Sequence, residues 1–285
     1  MGLSDLWHRL RTSRTVHRAS KLLPNAARPL PDDLWHTTLD AYPFLQERPD
    51  NELAHLRLLS SHFLGGKEFH GAEGLVVTDA MAIAIAAQAC LPLLHFGPPA
   101  EALAWYGDFV GIVVHAGEVV ARREAVDDAG VVHFYDEVLS GEAMERGPVM
   151  LSWHDVAQAG ASAQDGYNVV VHEFIHKIDM CNGEPDGCPP LPPGFMGSHN
   201  AREARAAWFA VLQPAYDRFR EQVIIAERFG GAQPWLDAYG AESISEFFPV
   251  ACEAYFVNRD RFAQEFPVLM PVLDAFFVAG GPSSS

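Results

Sequence analysis

The chain has 285 residues, 49% of them hydrophobic, so it can bury a large core and intrinsic disorder is excluded. Its formal net charge of -17 argues against sequence-independent binding to nucleic acid, which requires clustered Lys and Arg side chains. No apolar run approaches the roughly 18 residues of a membrane span, and the first 30 residues lack the apolar segment of a secretory signal. We therefore expect a cytoplasmic protein with no membrane or nucleic-acid partner.

The composition along the chain predicts three regions. Residues 1–30, rich in Arg, form a loosely ordered basic arm, for which a solvated tail is favoured over a membrane-binding or partner-binding role. Residues 31–278 form a single domain, and residues 279–285 form a flexible tail. Cys181 and Cys188 flank a turn and could pair or bind metal, but without a CxxC spacing we interpret them as ordinary thiols.

The first half of the chain alternates helical and strand patterns. Apolar spacing predicts an amphipathic helix within 31–64 that ends at Gly65-Gly66, and a buried helix from an N-cap at Asp79 to Leu93. β-Branched runs predict one or two strands within 105–121 and further strands at 131–139 and 148–153, the last two separated by a turn. The final strand is either internal or an exposed edge that could hold an extended peptide.

The second half is mainly helical, with predicted helices at 166–180, 201–229 and within 235–256. The first of these contains the pattern HExxH, formed by His172, Glu173 and His176. Residues four apart on a helix leave the same face one turn apart, so both imidazoles can bind one Zn²⁺. Glu173 is rotated away from the metal and can take a proton from a water that the metal activates. The spacing therefore predicts a zinc site that hydrolyses peptides.

A third protein ligand is needed, and the sequence leaves several carboxylates open. Glu246 and Glu253 are seven apart, so they share one helix face, and Glu242 lies one turn earlier. Each could be a solvated carboxylate, but Glu246 and Glu253 lie among aromatic residues, where an unpaired charge is costly. At least one of them should be paired with a cation or a metal.

Other candidate ligands are weaker. His154 follows a strand and His199 lies in a loop, so surface positions are favoured for both. Asp179 follows His176 by three residues on the same helix. It is better placed to accept a hydrogen bond from an imidazole N–H than to bind the metal itself.

Three segments carry a resemblance to a known family. They are GYNVVVHEFIHKIDMCNG (166–183), GPVMLSW (147–153) and YGAESISEFFPVACEAYF (239–256), with weaker similarity at 83–94. The chain resembles the Mlc titration factor A family of bacterial zinc peptidases, described as lethal-factor-like gluzincins. The resemblance implies a mixed α/β (α+β) fold, in which a zincin-like core sets the HExxH helix and a second ligand-bearing helix against a small sheet.

The resemblance also implies a role for each site residue. His172, His176 and Glu246 would bind Zn²⁺, Glu173 would be the catalytic carboxylate, and Tyr239 would donate a hydrogen bond to the oxyanion. Pro249 departs from expectation, because a proline inside the second ligand helix removes one backbone hydrogen bond and could delay or kink that helix.

Two functions from different classes follow. The first is a zinc metallopeptidase, preferably an aminopeptidase that cleaves short peptides. The alternative is a regulatory protein that sequesters a transcriptional repressor of sugar uptake, with weak or regulated peptidase activity. A purely structural zinc site is disfavoured, because such a site would not need Glu173 as a base.

Overall fold

The computed structural model describes residue 27, residues 29–126 and residues 132–278. In its first half, helices and strands follow one another as α1 (Asp32–Ala41), α2 (Pro43–Gln46), α3 (Asp50–Gly66), β1 (Glu68–Gly71), α4 (Asp79–Cys90), α5 (Pro99–Ala102), β2 (Gly111–His115), β3 (Val119–Val126) and β4 (Val132–Leu139). The second half comprises β5 (Gly141–Ala143), β6 (Val149–Ser152), α6 (Trp153–Ser162), α7 (Val169–Asp179), α8 (Ala201–Phe229), α9 (Ile244–Val257), α10 (Arg259–Glu265) and α11 (Met270–Phe277). The fold is of the predicted mixed α/β class and is consistent with a zincin-like core.

A four-stranded sheet has the order β1-β2-β6-β5, in which β1, β2 and β6 are parallel and β5 runs antiparallel to β6. The predicted strand 148–153 is therefore internal, and its candidacy as an edge was wrong. The sheet ends at β1 on one side and at β5 on the other, and β5, the edge strand next to β6, lies within the segment 140–147 that the sequence predicts to be a turn. A strand of three residues is too short to show alternation in its sequence. Strands β3 and β4 form a separate antiparallel pair.

Helix α7 lies at the centre of the core. All of its residues from Val169 to Asp179 are buried, as its nearly continuous apolar sequence predicts. Phe174 packs against the rings of Phe63 and Tyr106, with centroid distances of 5.6 and 4.9 Å. The same helix contacts α4, α9 and β5, so the HExxH pattern is held from several sides.

The buried Lys177 links α7 to the loop that follows β5 through hydrogen bonds. Its Nζ donates to the Asp108 carboxylate at 2.9 Å and to the carbonyl oxygens of Met144 and Gly147 at 2.6 and 3.1 Å. A buried ammonium is tolerated only with such partners. The edge strand is therefore fixed relative to the site helix.

Several details differ from expectation. The N-cap of α4 is Thr78 rather than Asp79, because the Thr78 hydroxyl accepts a hydrogen bond from the Met81 N–H at 3.3 Å. Helix α9 runs through Pro249 and begins at Ile244, whereas α8 has its predicted bounds. All four cysteines are free, including Cys181 and Cys188, which the sequence predicts to be ordinary thiols.

Two predicted regions lie largely outside the described residues. The basic arm is described only at residues 27, 29 and 30, and the tail at 279–285 is not described. Among the described helices, none combines the length and apolar character that a bilayer crossing requires.

Candidate metal centre

The first ligand pair is positioned by the start of α7. Asn168 is the N-cap of this helix, and its side-chain oxygen accepts a hydrogen bond from the Val171 N–H at 2.9 Å. The helix then places His172 and His176 one turn apart on one face, with their Nε2 atoms 3.2 Å apart. Both imidazoles are buried and open on the same cleft.

The third carboxylate comes from the first turn of α9. The Ser243 hydroxyl accepts a hydrogen bond from the Glu246 N–H at 3.2 Å, which starts the helix just before this residue. Glu246 Oε2 lies 3.3 Å from Nε2 of His172 and 3.0 Å from Nε2 of His176. Within the described part of the chain, these three residues are the one group of His, Cys, Asp or Glu side chains that could hold a metal ion.

The remaining candidates lie elsewhere. Glu253 faces the other ring nitrogen of His172, with its Oε1 2.7 Å from Nδ1. His154 and His199 are exposed, as predicted. Asp179 makes no hydrogen bond with an imidazole: its Oδ2 accepts the Gly187 N–H at 2.8 Å, and its buried Oδ1 and Nδ1 of His176 have no hydrogen-bond partner among the described residues. The role expected of Asp179 is thus filled by Glu253, which reaches the imidazole from a second helix.

Glu173 points into the cleft beside the edge strand. Its side chain is buried, and burial raises the pKa of its carboxyl to about 8, although the nearby His172 opposes this shift. Strand β5 approaches it closely at Gly141, where a β-carbon would lie only 2.5 Å from Glu173 Oε1. This contact was not predictable from the sequence, because Gly141 appears there only as part of a turn.

Tyr239 also lines the cleft. It belongs to the short 3-10 helix Ala238–Ala241, and the Asp237 carboxylate accepts its backbone N–H at 3.0 Å. The Tyr239 ring centroid is 5.9 Å from that of His172. A phenol at this distance can reach a group bound in the cleft.

The electrostatics of the three candidate ligands are coupled. Burial would lower the pKa of His172, but its hydrogen bonds with Glu246 and Glu253 raise it overall. Burial would raise the pKa of Glu246, but its contacts with His172 and His176 hold that pKa well below the usual range. The site therefore favours a bound positive charge.

The cleft has a volume of about 370 Å³. Beyond the residues above, its walls include Tyr167, Val169, Met180, Pro185 and Val250, together with the start of β5 at 140–143. Its lining is rich in carboxylates, and none of the described lining residues is a Lys or Arg.

Two imidazoles from one helix and a carboxylate from a second converge in a cleft beside a buried glutamate, which is the set of side chains that metallopeptidases use. The family described as glucose-regulated metallo-peptidase M90 matches residues 13–278, and the chain belongs to this family. The predicted family resemblance is thereby confirmed.

Similar proteins include those called Mlc titration factor A. The one from Serratia proteamaculans is 32% identical over 244 residues, which cover 85% of this chain and 86% of the relative. Those from Salmonella arizonae and Klebsiella pneumoniae are 30% and 32% identical, covering 88% and 82% of this chain and 91% and 82% of the relatives. The similarity thus extends over most of both sequences.

Proposed function

We propose that the protein is a zinc-dependent aminopeptidase for short peptides, with residues 31–278 as one catalytic domain and His172, His176 and Glu246 as the zinc ligands. The observation that carries this proposal is the spacing of the three ligand atoms, which are 3.0 to 3.3 Å apart. Ligands about 2.0 to 2.1 Å from a tetrahedral zinc ion lie roughly 3.3 Å from one another. The separations of the three donor atoms therefore support zinc as the bound ion.

When bound, zinc would polarise the scissile carbonyl and lower the pKa of the attacking water. Glu173 takes the proton of that water and passes it to the leaving amine. Its place in the cleft beside the candidate ligands supports this role, and the positive charge of a bound metal ion would oppose the burial that raises the pKa of its carboxyl. The Tyr239 hydroxyl donates a hydrogen bond to the oxygen on which negative charge develops.

The preference for free N-termini is supported by the charge of the cleft. Glu142 and Asp237 line it in addition to the candidate metal ligands and Glu173, and no described lining residue is cationic. An α-ammonium group near these carboxylates gains electrostatic stabilisation, whereas a peptide C-terminus would be repelled. The edge strand β5 offers backbone groups for an extended substrate alongside Glu173.

The test is hydrolysis of aminoacyl amides and short peptides, each with a free or an acetylated N-terminus, by wild-type protein and Glu173→Gln. We expect one zinc per chain in both proteins and a turnover at least about 100-fold lower in the variant. Glu145→Gln, which changes an exposed glutamate in the loop after β5, is the matched control and should retain full activity.

Each part of the proposal has its own contrary result. Absence of zinc from the wild-type protein would refute the metal site. Equal turnover by wild type and Glu173→Gln would refute the role of Glu173. Equal cleavage of free and acetylated substrates would refute the aminopeptidase assignment while leaving a peptidase.

A second function is favoured by the name of the relatives, Mlc titration factor A. We propose as the alternative that the chain binds a transcriptional repressor of the Mlc type. The test is a titration of purified repressor with the protein, measured by calorimetry. Retained binding by Glu173→Gln would show that this function is separate from catalysis, and no binding by either protein would exclude it.

A further inference from the structure

We infer that Glu253 is a positioning residue for His172 and that a buried hydrogen-bond chain through Asn168 to Gln88 holds it in place. The inference rests on the proposed metal function, because it concerns which nitrogen of His172 is presented to the metal. It goes beyond the ligand set by extending the site to Gln88 of α4, a helix that contacts the HExxH helix.

Both carboxylate oxygens of Glu253 are used. Oε1 lies 2.7 Å from Nδ1 of His172, and Oε2 accepts the backbone N–H of Asn168. The residue is only 1% exposed, so water does not compete for these contacts. Glu246 meanwhile faces Nε2 of the same imidazole, so the two ring nitrogens have separate carboxylate partners.

Asn168 links three parts of the core. Its side-chain oxygen caps α7, its backbone N–H donates to Glu253, and its side-chain amide donates to Gln88 Oε1 at 2.8 Å. Gln88 is in turn oriented by the carbonyl oxygen of Ala84, to which its amide donates at 3.1 Å. Gln88 and Asn168 are fully buried, so water does not compete for these hydrogen bonds.

The arrangement selects a tautomer. A neutral imidazole that binds a metal through Nε2 carries its proton on Nδ1, and a hydrogen-bond acceptor beside Nδ1 stabilises that form. In the Glu253→Gln variant, the single side-chain oxygen would accept the hydrogen bond from the Asn168 N–H. The amide NH₂ would then face Nδ1 of His172 and favour the opposite tautomer.

The experiment compares zinc dissociation constants of the full chain, measured by competition with a chelator, for wild type, Glu253→Gln and the exposed control Glu221→Gln. We expect Glu253→Gln to weaken zinc binding about 10- to 100-fold and Glu221→Gln to leave it unchanged. The Nδ1 proton of His172 in the zinc-loaded protein should also move upfield in the NMR spectrum of Glu253→Gln, since it loses a carboxylate acceptor. A purely structural role would leave that resonance unchanged.

A second variant covers the case in which Glu253→Gln does not fold. Gln88→Met keeps the side-chain length but removes the acceptor of the Asn168 amide, so it should weaken zinc binding in the same direction and by a smaller factor. Wild-type affinity in either folded variant overturns the inference while the metal function stands. A wild-type protein that binds no zinc overturns the proposed function, and the inference with it.

Discussion

A missing β-carbon at Gly141 allows the edge strand to lie against Glu173. Any larger residue would place an atom 2.5 Å from Glu173 Oε1 and 2.7 Å from its Cγ, which is closer than real contacts allow. The glutamate is buried and has little room to move away. The position of Glu173, the proposed catalytic carboxylate, therefore depends on a neighbouring residue that has no side chain.

We predict that Gly141→Ala retains zinc and lowers turnover by about 100-fold, because a displacement of about 1 Å in a catalytic group has an effect of this size. Turnover and zinc content should be measured together with Gly117→Ala. Gly117 has no atom within 4 Å of an added β-carbon, so that substitution should be silent. Full activity in Gly141→Ala would show that the close approach of Gly141 to Glu173 is not needed for turnover.

Asp179 supplies a second residue-scale prediction. Burial raises its pKa to about 6, although the Gly187 N–H partly opposes the shift. Between about pH 4 and 6 the folded protein therefore holds a proton that the unfolded chain releases. The protonated Asp179 carboxyl therefore stabilises the folded state fully below about pH 4, and this stabilisation is lost as the pH rises through about 6.

We expect the free energy of unfolding of wild type to fall by up to about 3 kcal/mol relative to Asp179→Asn between pH 4 and 7. Urea titrations of the metal-free proteins would measure this difference. Asp33→Asn, an exposed substitution in α1, should follow wild type at every pH. A constant offset between wild type and Asp179→Asn would contradict the raised pKa.

At the scale of elements, each of the two helices that carry the candidate ligands begins at a polar N-cap. Asn168 caps α7 and Ser243 caps α9, and each starts its helix within four residues of a candidate ligand. The cap fixes where the first turn begins and so fixes the rotation of the ligand about the helix axis. Glu246 is itself the residue whose N–H the Ser243 hydroxyl accepts.

We predict that Ser243→Ala lowers the free energy of unfolding by about 1 kcal/mol and also weakens zinc binding. Asn200→Ala removes the comparable cap of α8, where Asn200 accepts the Glu203 N–H at 3.0 Å. It should be similarly destabilising without changing the zinc dissociation constant. Equal zinc affinity in wild type, Ser243→Ala and Asn200→Ala would show that the N-cap of α9 contributes to stability but not to zinc binding.

At the scale of the whole molecule, the candidate centre joins distant parts of the chain. His176 and Glu246 are separated by 70 positions in sequence. One cluster of buried apolar side chains packs the two helices that carry these residues into a common core. The cluster includes residues of α3, α4, α7, α8 and α9. A metal that binds only when both helices are packed must stabilise the folded state.

Zinc at about 100 times its dissociation constant should therefore raise the free energy of unfolding by about 2.7 kcal/mol. For a chain of this size we expect a rise in Tm of roughly 5 °C or more, measured by calorimetry with and without chelator. His172→Ala is the control that should lose the shift. The same zinc-dependent shift in His172→Ala would place the stabilising ion elsewhere.

The site helix illustrates how far the sequence alone reaches. The positions of His172, Glu173 and His176 on one buried helix follow from helical period and apolar composition, and the structure reproduces that burial. The bounds of α8, predicted as 201–229 from local pattern, are those that the structure shows. The choice among Glu242, Glu246 and Glu253 does not follow from local pattern, since seven-residue spacing shows only that two of them share a helix face. Among the features of the sequence, the family resemblance alone points to Glu246.

The sequence by itself determined the HExxH helix, the general class of fold and the presence of carboxylates able to complete a centre, because these depend on periodicity and residue type within short segments. Only the tertiary structure decided that Glu246 meets Nε2 and Glu253 meets Nδ1 of His172, and that β5 rather than β6 is the edge beside Glu173. Those outcomes depend on how α9 and β5 pack against α7. Packing is set by contacts between residues far apart in sequence, and no local pattern carries that information.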